Sequence, residues 1–280
     1  MSKEELIEVF KDTEDLYTNY SGIEDAAEYC KKHTHIYDNI VVKKRDNIYS
    51  CPALIKVTNR DTITAAQEYS SKIADEMNNG FVGILNFASA TTPGGGVTKG
   101  SSAQEECICR CSTLYPALNQ RKCWDKYYNV NRASGTNLGS DTIIYTQDVL
   151  IIKDKNYKRL NDTFYVDVIT CAAPNLREKP SNLYNDGASK TQLTLTDEEL
   201  YDIHVKRARC IFEVAIEQGI DYLVLGAFGC GAFKNNPEIV AKAYNDVLSE
   251  YKYNFKIIDF AIIDGKNSNN YEVFKRILLQ

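Results

Sequence analysis

Twice in this chain a short apolar run empties into a cluster of glycines and then into a helix-like pattern, and that pairing restricts the fold more than any other feature. Phe81 to Phe87 (FVGILNF) leads into a glycine-rich loop, Ala88 to Ser102, which carries Gly94, Gly95 and Gly96. A helix is predicted beyond it, from about Ala103 toward Leu118. Tyr222 to Leu225 (YLVL) leads into Gly226, Gly229 and Gly231, with a second helix opening at Pro237. Runs this apolar suit strands covered on both faces. Similar runs recur at Ala53–Val57, Thr142–Ile152, Phe164–Thr170 and Phe255–Ile263. Helical periodicity marks Thr62–Asn78, with Ala65, Ala66, Tyr69, Ile73, Ala74 and Met77 on one stripe, as well as Asp197–Gln218 and Pro237–Tyr251. Strands alternating with helices give an α/β layered sheet with helices on both faces. The segment before them shows short helical periodicities broken at Ser21–Gly22, which predicts a mainly helical extension over residues 1–50 capping a catalytic domain over residues 51–280.

Composition narrows the function. With 280 residues, 44% hydrophobic and 25% charged, the chain suits a globular protein large enough to bury its core without staples. A net charge of -5 argues against general nucleic-acid binding by phosphate neutralisation. No stretch approaches the roughly 20 apolar residues of a membrane span, and the acidic start MSKEELIEVFKDTEDLY lacks a secretory h-region. A cytoplasmic protein is expected. Nine cysteines, an odd number spread from Cys30 to Cys230, are read as free thiols. Cys107, Cys109 and Cys111 lack the C-x-x-C spacing of zinc sites. The three histidines, His33, His35 and His204, are read as surface residues. No metal site is expected.

The two loops carry the candidate chemistry. Three consecutive glycines are entropically costly, so they point to positive φ or to close approach of backbone to a ligand, and ligands of α/β sheets bind where strands end in such loops. Gly95 to Gly100 is not a Walker loop, because Ser101 follows where a Lys is required. Glu105 and Glu106 admit two readings. With Ser102 as N-cap, Glu105 falls at the third helical position of a capping box. Alternatively, one acid protonates the leaving oxygen of a glycosidic bond while its neighbour holds the sugar. The second loop offers backbone N–H groups and a helix N-terminus suited to a diphosphate. A plain strand-to-helix turn, capped by Asn235 or Asn236, is the competing reading.

Taken together, Asn86-Phe-Ala-Ser-Ala, Pro93-Gly-Gly-Gly, Ala103-Gln-Glu-Glu, Ser112-Thr-Leu-Tyr, Ala172-Ala-Pro-Asn and Gly226-Ala-Phe-Gly-Cys-Gly-Ala-Phe resemble the microbial-type poly(ADP-ribose) glycohydrolases, which are macrodomain-fold ADP-ribose hydrolases. The resemblance covers roughly Ala53 to the C-terminus. It implies a three-layer α/β/α macrodomain-like mixed sheet and cleavage of ribose–ribose bonds in ADP-ribose polymers, with no cofactor. Glu106 would be the catalytic acid and Glu105 would orient the distal ribose. Asn86 and Ser89 would contact or support that ribose. Gly94, Gly95, Gly96 and Val97 would line diphosphate and ribose, and Gln104 belongs to the same substrate-binding motif. Gly229, Cys230, Gly231 and Ala232 would close over the diphosphate, and Phe233 would press on the ligand. Lys234 stands where the family usually has Gly.

The transition state is oxocarbenium-like, so a proton must reach the departing oxygen, and two adjacent carboxyls do not readily both ionise. The implied partner is ADP-ribose or poly(ADP-ribose) on modified proteins, handled by a monomer. A non-catalytic ADP-ribose reader, or a hydrolase of ADP-ribose attached to nucleic acid or acyl groups, would use the same two loops.

Overall fold

The computed structural model describes residues 1–75, 80–183, 185, 187–265 and 268–279. In chain order its elements are α1 (Lys3–Asn19), α2 (Ser21–Lys32), β1 (Thr34–Tyr37), β2 (Leu54–Thr58), α3 (Thr62–Asp75), β3 (Val82–Phe87), α4 (Gln104–Cys111), α5 (Leu114–Leu118), α6 (Arg121–Cys123), α7 (Asn129–Ala133), β4 (Ile143–Lys153), β5 (Arg159–Cys171), α8 (Asp197–Glu217), β6 (Tyr222–Leu225), α9 (Pro237–Tyr251), β7 (Ile257–Ala261) and α10 (Asn270–Leu278). Met77 and Asn78, placed on the third helix by periodicity, lie outside the described residues.

The strands form one mixed sheet in the order β1-β4-β5-β3-β6-β7-β2. From β5 through β2 neighbours run parallel, and β4 is antiparallel to both of its neighbours. Side chains alternate across the pleat. Leu85, Leu223 and Leu225 join a core beneath α8, α9 and α10, whereas Ile84, Tyr222 and Val224 join a core beneath α3, α4 and α5. Both faces are therefore covered, which explains why these strands read as apolar runs. Because β3 and β6 are parallel neighbours, their C-terminal ends bring the two glycine loops side by side.

Three elements differ from the sequence reading. The helix predicted from Ala103 to Leu118 stops at Cys111. Ser112 is extended (φ -150°, ψ 176°) and pairs with Ile151 of β4 before α5 begins. Hydroxyl side chains compete with helical backbone bonds, and here Ser112 Oγ accepts from Leu114 N–H while Leu150 N–H donates to Thr113 Oγ1. The strand expected from Phe164 begins at Arg159, because its first residues form a hairpin with β4 that leaves them largely exposed and therefore polar. The edge strand β1 lies among charged residues that carry no strand signal.

Residues 1–50 hold α1 and α2 and also supply β1 to the sheet. The α1 helix lies against α4. The fully buried Arg110 donates from Nε to Leu6 C=O (3.0 Å), and Thr13 Oγ1 donates to Arg110 C=O (2.6 Å). Lys153, also buried, donates from Nζ to Val9 C=O (3.0 Å) and Thr13 Oγ1 (2.6 Å) and pairs with Asp12 (2.7 Å). Among the described residues no helix is long and apolar enough to cross a membrane.

Candidate active site

The α4 helix opens at the rim of the first glycine loop, and its N-cap is Ala103, which makes no side-chain cap. Ser102 forms no capping box, so the two acids are free for other work. Glu105 turns under the end of β3: Ser89 N–H donates to its Oε2 (2.7 Å) and Asn86 Nδ2 to its Oε1 (3.4 Å). Asn86 is in turn fixed by Thr170 Oγ1 on β5 (3.2 Å). Glu106 turns toward the loop, where Gly96 N–H donates to its Oε1 (2.9 Å). Its other oxygen, Oε2, is buried and has no hydrogen-bond partner. Both carboxyl groups flank Gly95. A Cβ there would stand 2.5 Å from Glu106 Oε1 and 3.1 Å from Glu105 Oε2, and the residue holds φ +57°. Only glycine meets both demands.

Burial first, and the Glu106 charge second, push the Glu105 carboxyl well above the usual carboxylate range, against the pull of the Ser89 and Asn86 donors. The unpartnered Oε2 of Glu106 belongs to a side chain that lines the cleft beside Glu105.

The second loop is held by one side chain. Asn235 Nδ2 donates to the carbonyls of Pro174 (2.7 Å), Gly229 (3.1 Å) and Phe233 (3.3 Å). Its Oδ1 therefore accepts, and the Nε2–H of His204 on α8 is the donor (2.8 Å). The hub explains Gly229 (φ +77°), whose Cβ would lie 2.6 Å from Ala173 Cβ and 2.9 Å from Asn235 Nδ2. Lys234 adopts φ +62° as well. A side chain in that region costs on the order of 1–2 kcal/mol, and the bonds Lys234 N–H to Gly231 C=O and Asn235 N–H to Gly229 C=O keep the turn that glycine would make. Asn236 caps α9 and Pro237 is its first residue.

Between the loops runs a cleft of about 720 Å³, lined by both glutamates and by Ser89, Gly96, Gly231 and Phe233. That is the size of a cofactor-sized ligand site. A family model described as "Microbial-type PARG, catalytic domain" matches residues 7–154, just over half of the chain. The chain belongs to the microbial-type PARG catalytic-domain family. The match reaches back to residue 7, ahead of Ala53, from which the resemblance in the sequence was read. Among solved structures, the poly(ADP-ribose) glycohydrolase (PARG) of Thermomonospora curvata is similar at 27% identity and TM-score 0.83, over 98% of this chain and 99% of that one. The same enzyme bound to the inhibitor ADP-HPD gives 27% and 0.79 over the same shares. The PARG from Deinococcus radiodurans in complex with ADP-ribose gives 30% and 0.69, over 91% of this chain and 90% of that one. No curated protein matches.

Within this PARG-family cleft the sequence-predicted residues divide by position. Ser89, Gly95, Gly96, Gln104, Glu105, Glu106, Gly229, Gly231, Ala232 and Phe233 line it, whereas Asn86, Gly94, Val97 and Cys230 do not. The Gln104 amide is engaged by Phe87 N–H, Leu85 C=O and Thr62 Oγ1, so it ties α4 to the end of β3. Cys230 is half-buried with its thiol on Phe228 C=O (3.7 Å). His204 is no surface residue: it is fully buried, and burial lowers its pKa to about 4. The sequence reading missed Arg177 and Asn185, which also line the cleft. Asn185 Oδ1 accepts from Thr91 Oγ1 (2.6 Å). Both follow the Ala172-Ala-Pro-Asn motif in a stretch without periodicity, so the motif itself was the one available signal. Among the described residues no cluster of His, Cys, Asp and Glu is arranged to hold a metal.

Proposed function

We propose that this chain is a poly(ADP-ribose) glycohydrolase, cleaving the ribose–ribose O-glycosidic bonds of ADP-ribose polymers and releasing ADP-ribose. The observation that carries the reading is the buried, unpartnered Oε2 of Glu106 beside Glu105 in the cleft. A binding module has no use for an unsatisfied buried acid, because an orphaned polar atom costs stability. An acid that must hand over a proton has that use.

The proton carried on Oε2 passes to the departing ribose oxygen as the C1–O bond breaks, and the sugar takes on oxocarbenium character. Glu106, now a carboxylate, withdraws a proton from the incoming water, whose oxygen bonds to C1. Glu105 keeps unused lone pairs on both oxygens, which accept hydroxyls of the distal ribose. Gly229, Gly231 and Ala232 offer backbone N–H groups to the diphosphate, and Phe233 limits how far the ligand tilts. The substrate carrier is a modified protein. Nine free thiols suit a reducing cytoplasm, and the exposed large apolar side chains are scattered along the chain, as on a monomer.

The test is incubation with poly(ADP-ribosyl)ated protein. Glu106→Gln is expected to lose ADP-ribose release by about 10²-fold or more, the scale of a general acid, while calorimetry still detects ADP-ribose binding. Turnover at the parent rate removes Glu106 from the mechanism. A parent protein that binds ADP-ribose and never releases it from polymer is a reader.

A further inference from the structure

The cleft contains a cation that the mechanism above does not use. Arg177 is half-buried, and its guanidinium carbon lies 5.4 Å from the centre of the Phe233 ring. Nε donates to Asn175 Oδ1 (3.0 Å) and Nη2 to Pro180 C=O (3.1 Å). Both acceptors are neutral. Among the described residues no carboxylate lies in ion-pair range of Arg177 and no acceptor receives Nη1. The other arginine in the cleft, Arg60, is bound by Asp259 (2.7 Å) and Glu68.

We propose that Arg177 is a substrate-contacting residue that clamps the diphosphate of the bound ADP-ribose unit through Nη1, beside the amides of the second glycine loop. The proposal rests on the functional reading above and adds a residue to it. Three observations carry it. A guanidinium partly removed from water and left without a counter-charge is costly, and a diphosphate supplies that charge at the moment of binding. The anchors hold the fork in one orientation, so little side-chain freedom remains to be lost when the anion arrives. Arg177 is also tied to the phosphate loop. Leu176 N–H donates to Phe233 C=O (2.9 Å), and Asn235 holds Pro174 as well as Gly229. The cation and the loop amides therefore keep a fixed spacing.

The chain's net charge of -5 gives this residue added weight, since a dianionic ligand receives no general attraction from the molecule. Burial lowers the Arg177 pKa while the charge on Glu106 works the other way, so cation and acid sense each other across the cleft. A bound diphosphate screens that contact.

The experiment measures ADP-ribose affinity by calorimetry, turnover on polymer and melting temperature for the parent, Arg177→Gln and Arg177→Lys. Arg177→Gln is expected to weaken ADP-ribose at least about tenfold, the scale of one charge-assisted hydrogen bond. Its melting temperature should stay close to the parent's, and turnover at saturating polymer should remain within a few-fold. Arg177→Lys, which keeps the charge without the fork, is expected to fall between them. Parent-like affinity in Arg177→Gln overturns the proposal. So does lost turnover at unchanged affinity, which would put Arg177 to work on Glu106. A large melting drop shared by both variants makes it structural and overturns it too. If the parent itself fails to bind ADP-ribose, the functional reading falls and takes this proposal with it.

Discussion

A buried imidazole with an unpartnered Nδ1 resists protonation, and His204, pushed down to about 4 by burial, holds its proton less well than in the unfolded chain. Between the ordinary value of 6.5 and about 4 the unfolded state binds the extra proton, so this stabilising contribution is complete above pH 6.5 and is lost as pH falls. Asp167 works in the opposite sense. Burial raises it from 3.8 to about 6, where it accepts from Tyr145 O–H (2.7 Å) and Asp148 N–H (2.9 Å). Its cost to the fold at neutral pH is relieved as pH falls through about 6. Because the two partly cancel in the whole protein, a variant is needed to separate them. His204→Gln can still donate to Asn235 Oδ1 and cannot titrate. Relative to this variant, the parent is expected to lose up to about 2 kcal/mol between pH 7 and pH 5, at about 1.36 kcal/mol per pH unit below 6.5. Urea unfolding at the two pH values reads the gap, and a constant gap would show that His204 does not govern the acid limb.

At the scale of elements, the two loops make different demands on their glycines. A Cβ at Gly95 meets Glu106 itself, while one at Gly231 meets nothing within 4 Å. Gly95→Ala is therefore expected to strain the loop by on the order of 1 kcal/mol and displace the acid, cutting turnover by about 10²-fold, since ~1 Å of misplacement has that effect. Gly231→Val should melt like the parent and bind ADP-ribose more weakly, because its side chain projects into the cleft. Equal effects of the two on turnover would contradict the geometry. The same contrast shows what was legible in the sequence. Strands β3, β6 and β7 and helices α8 and α9 announced themselves through patterns fixed by burial on known faces, and both loops through glycine clusters that include Gly94, Gly95 and Gly229, whose positive φ other residues adopt only at a cost. The Asn235 hub was visible only as a choice between two caps, because its acceptors Pro174, Gly229 and Phe233 are brought together by the fold alone. The buried His204 was hidden for the same reason, since its partner Asn235 lies far along the chain, and Arg177 because its place in the cleft is set by the bond of Leu176 to the distant Phe233.

For the molecule as a whole, the question is whether residues 51–280 stand without the first fifty. The α4 helix has the fully buried Arg110 among its residues, and this side chain reaches Leu6 C=O on α1. The β4 strand ends in the buried Lys153, whose ammonium group is satisfied by Val9, Asp12 and Thr13 of the same helix. Phe10 adds a ring 5.0 Å from Tyr115 and joins the core that covers α4. Removing α1 strips the Lys153 ammonium of every one of these partners, at ~3–5 kcal/mol for a broken buried pair, takes Leu6 C=O from Arg110 while its Nη2 keeps Val97 and Ser101 C=O, and opens the apolar surface that Phe10 covers. Summed, these losses weigh heavily against the whole stability of a domain, about 5–15 kcal/mol. The fragment 51–280 is therefore expected to lack a cooperative thermal transition and polymer-hydrolysing activity, whereas Arg110→Met in the full chain, an apolar replacement of similar length, should still fold. Circular dichroism melts of the two proteins decide it. A fragment that melts cooperatively and releases ADP-ribose would mean that α1 and α2 ride on a catalytic unit complete without them.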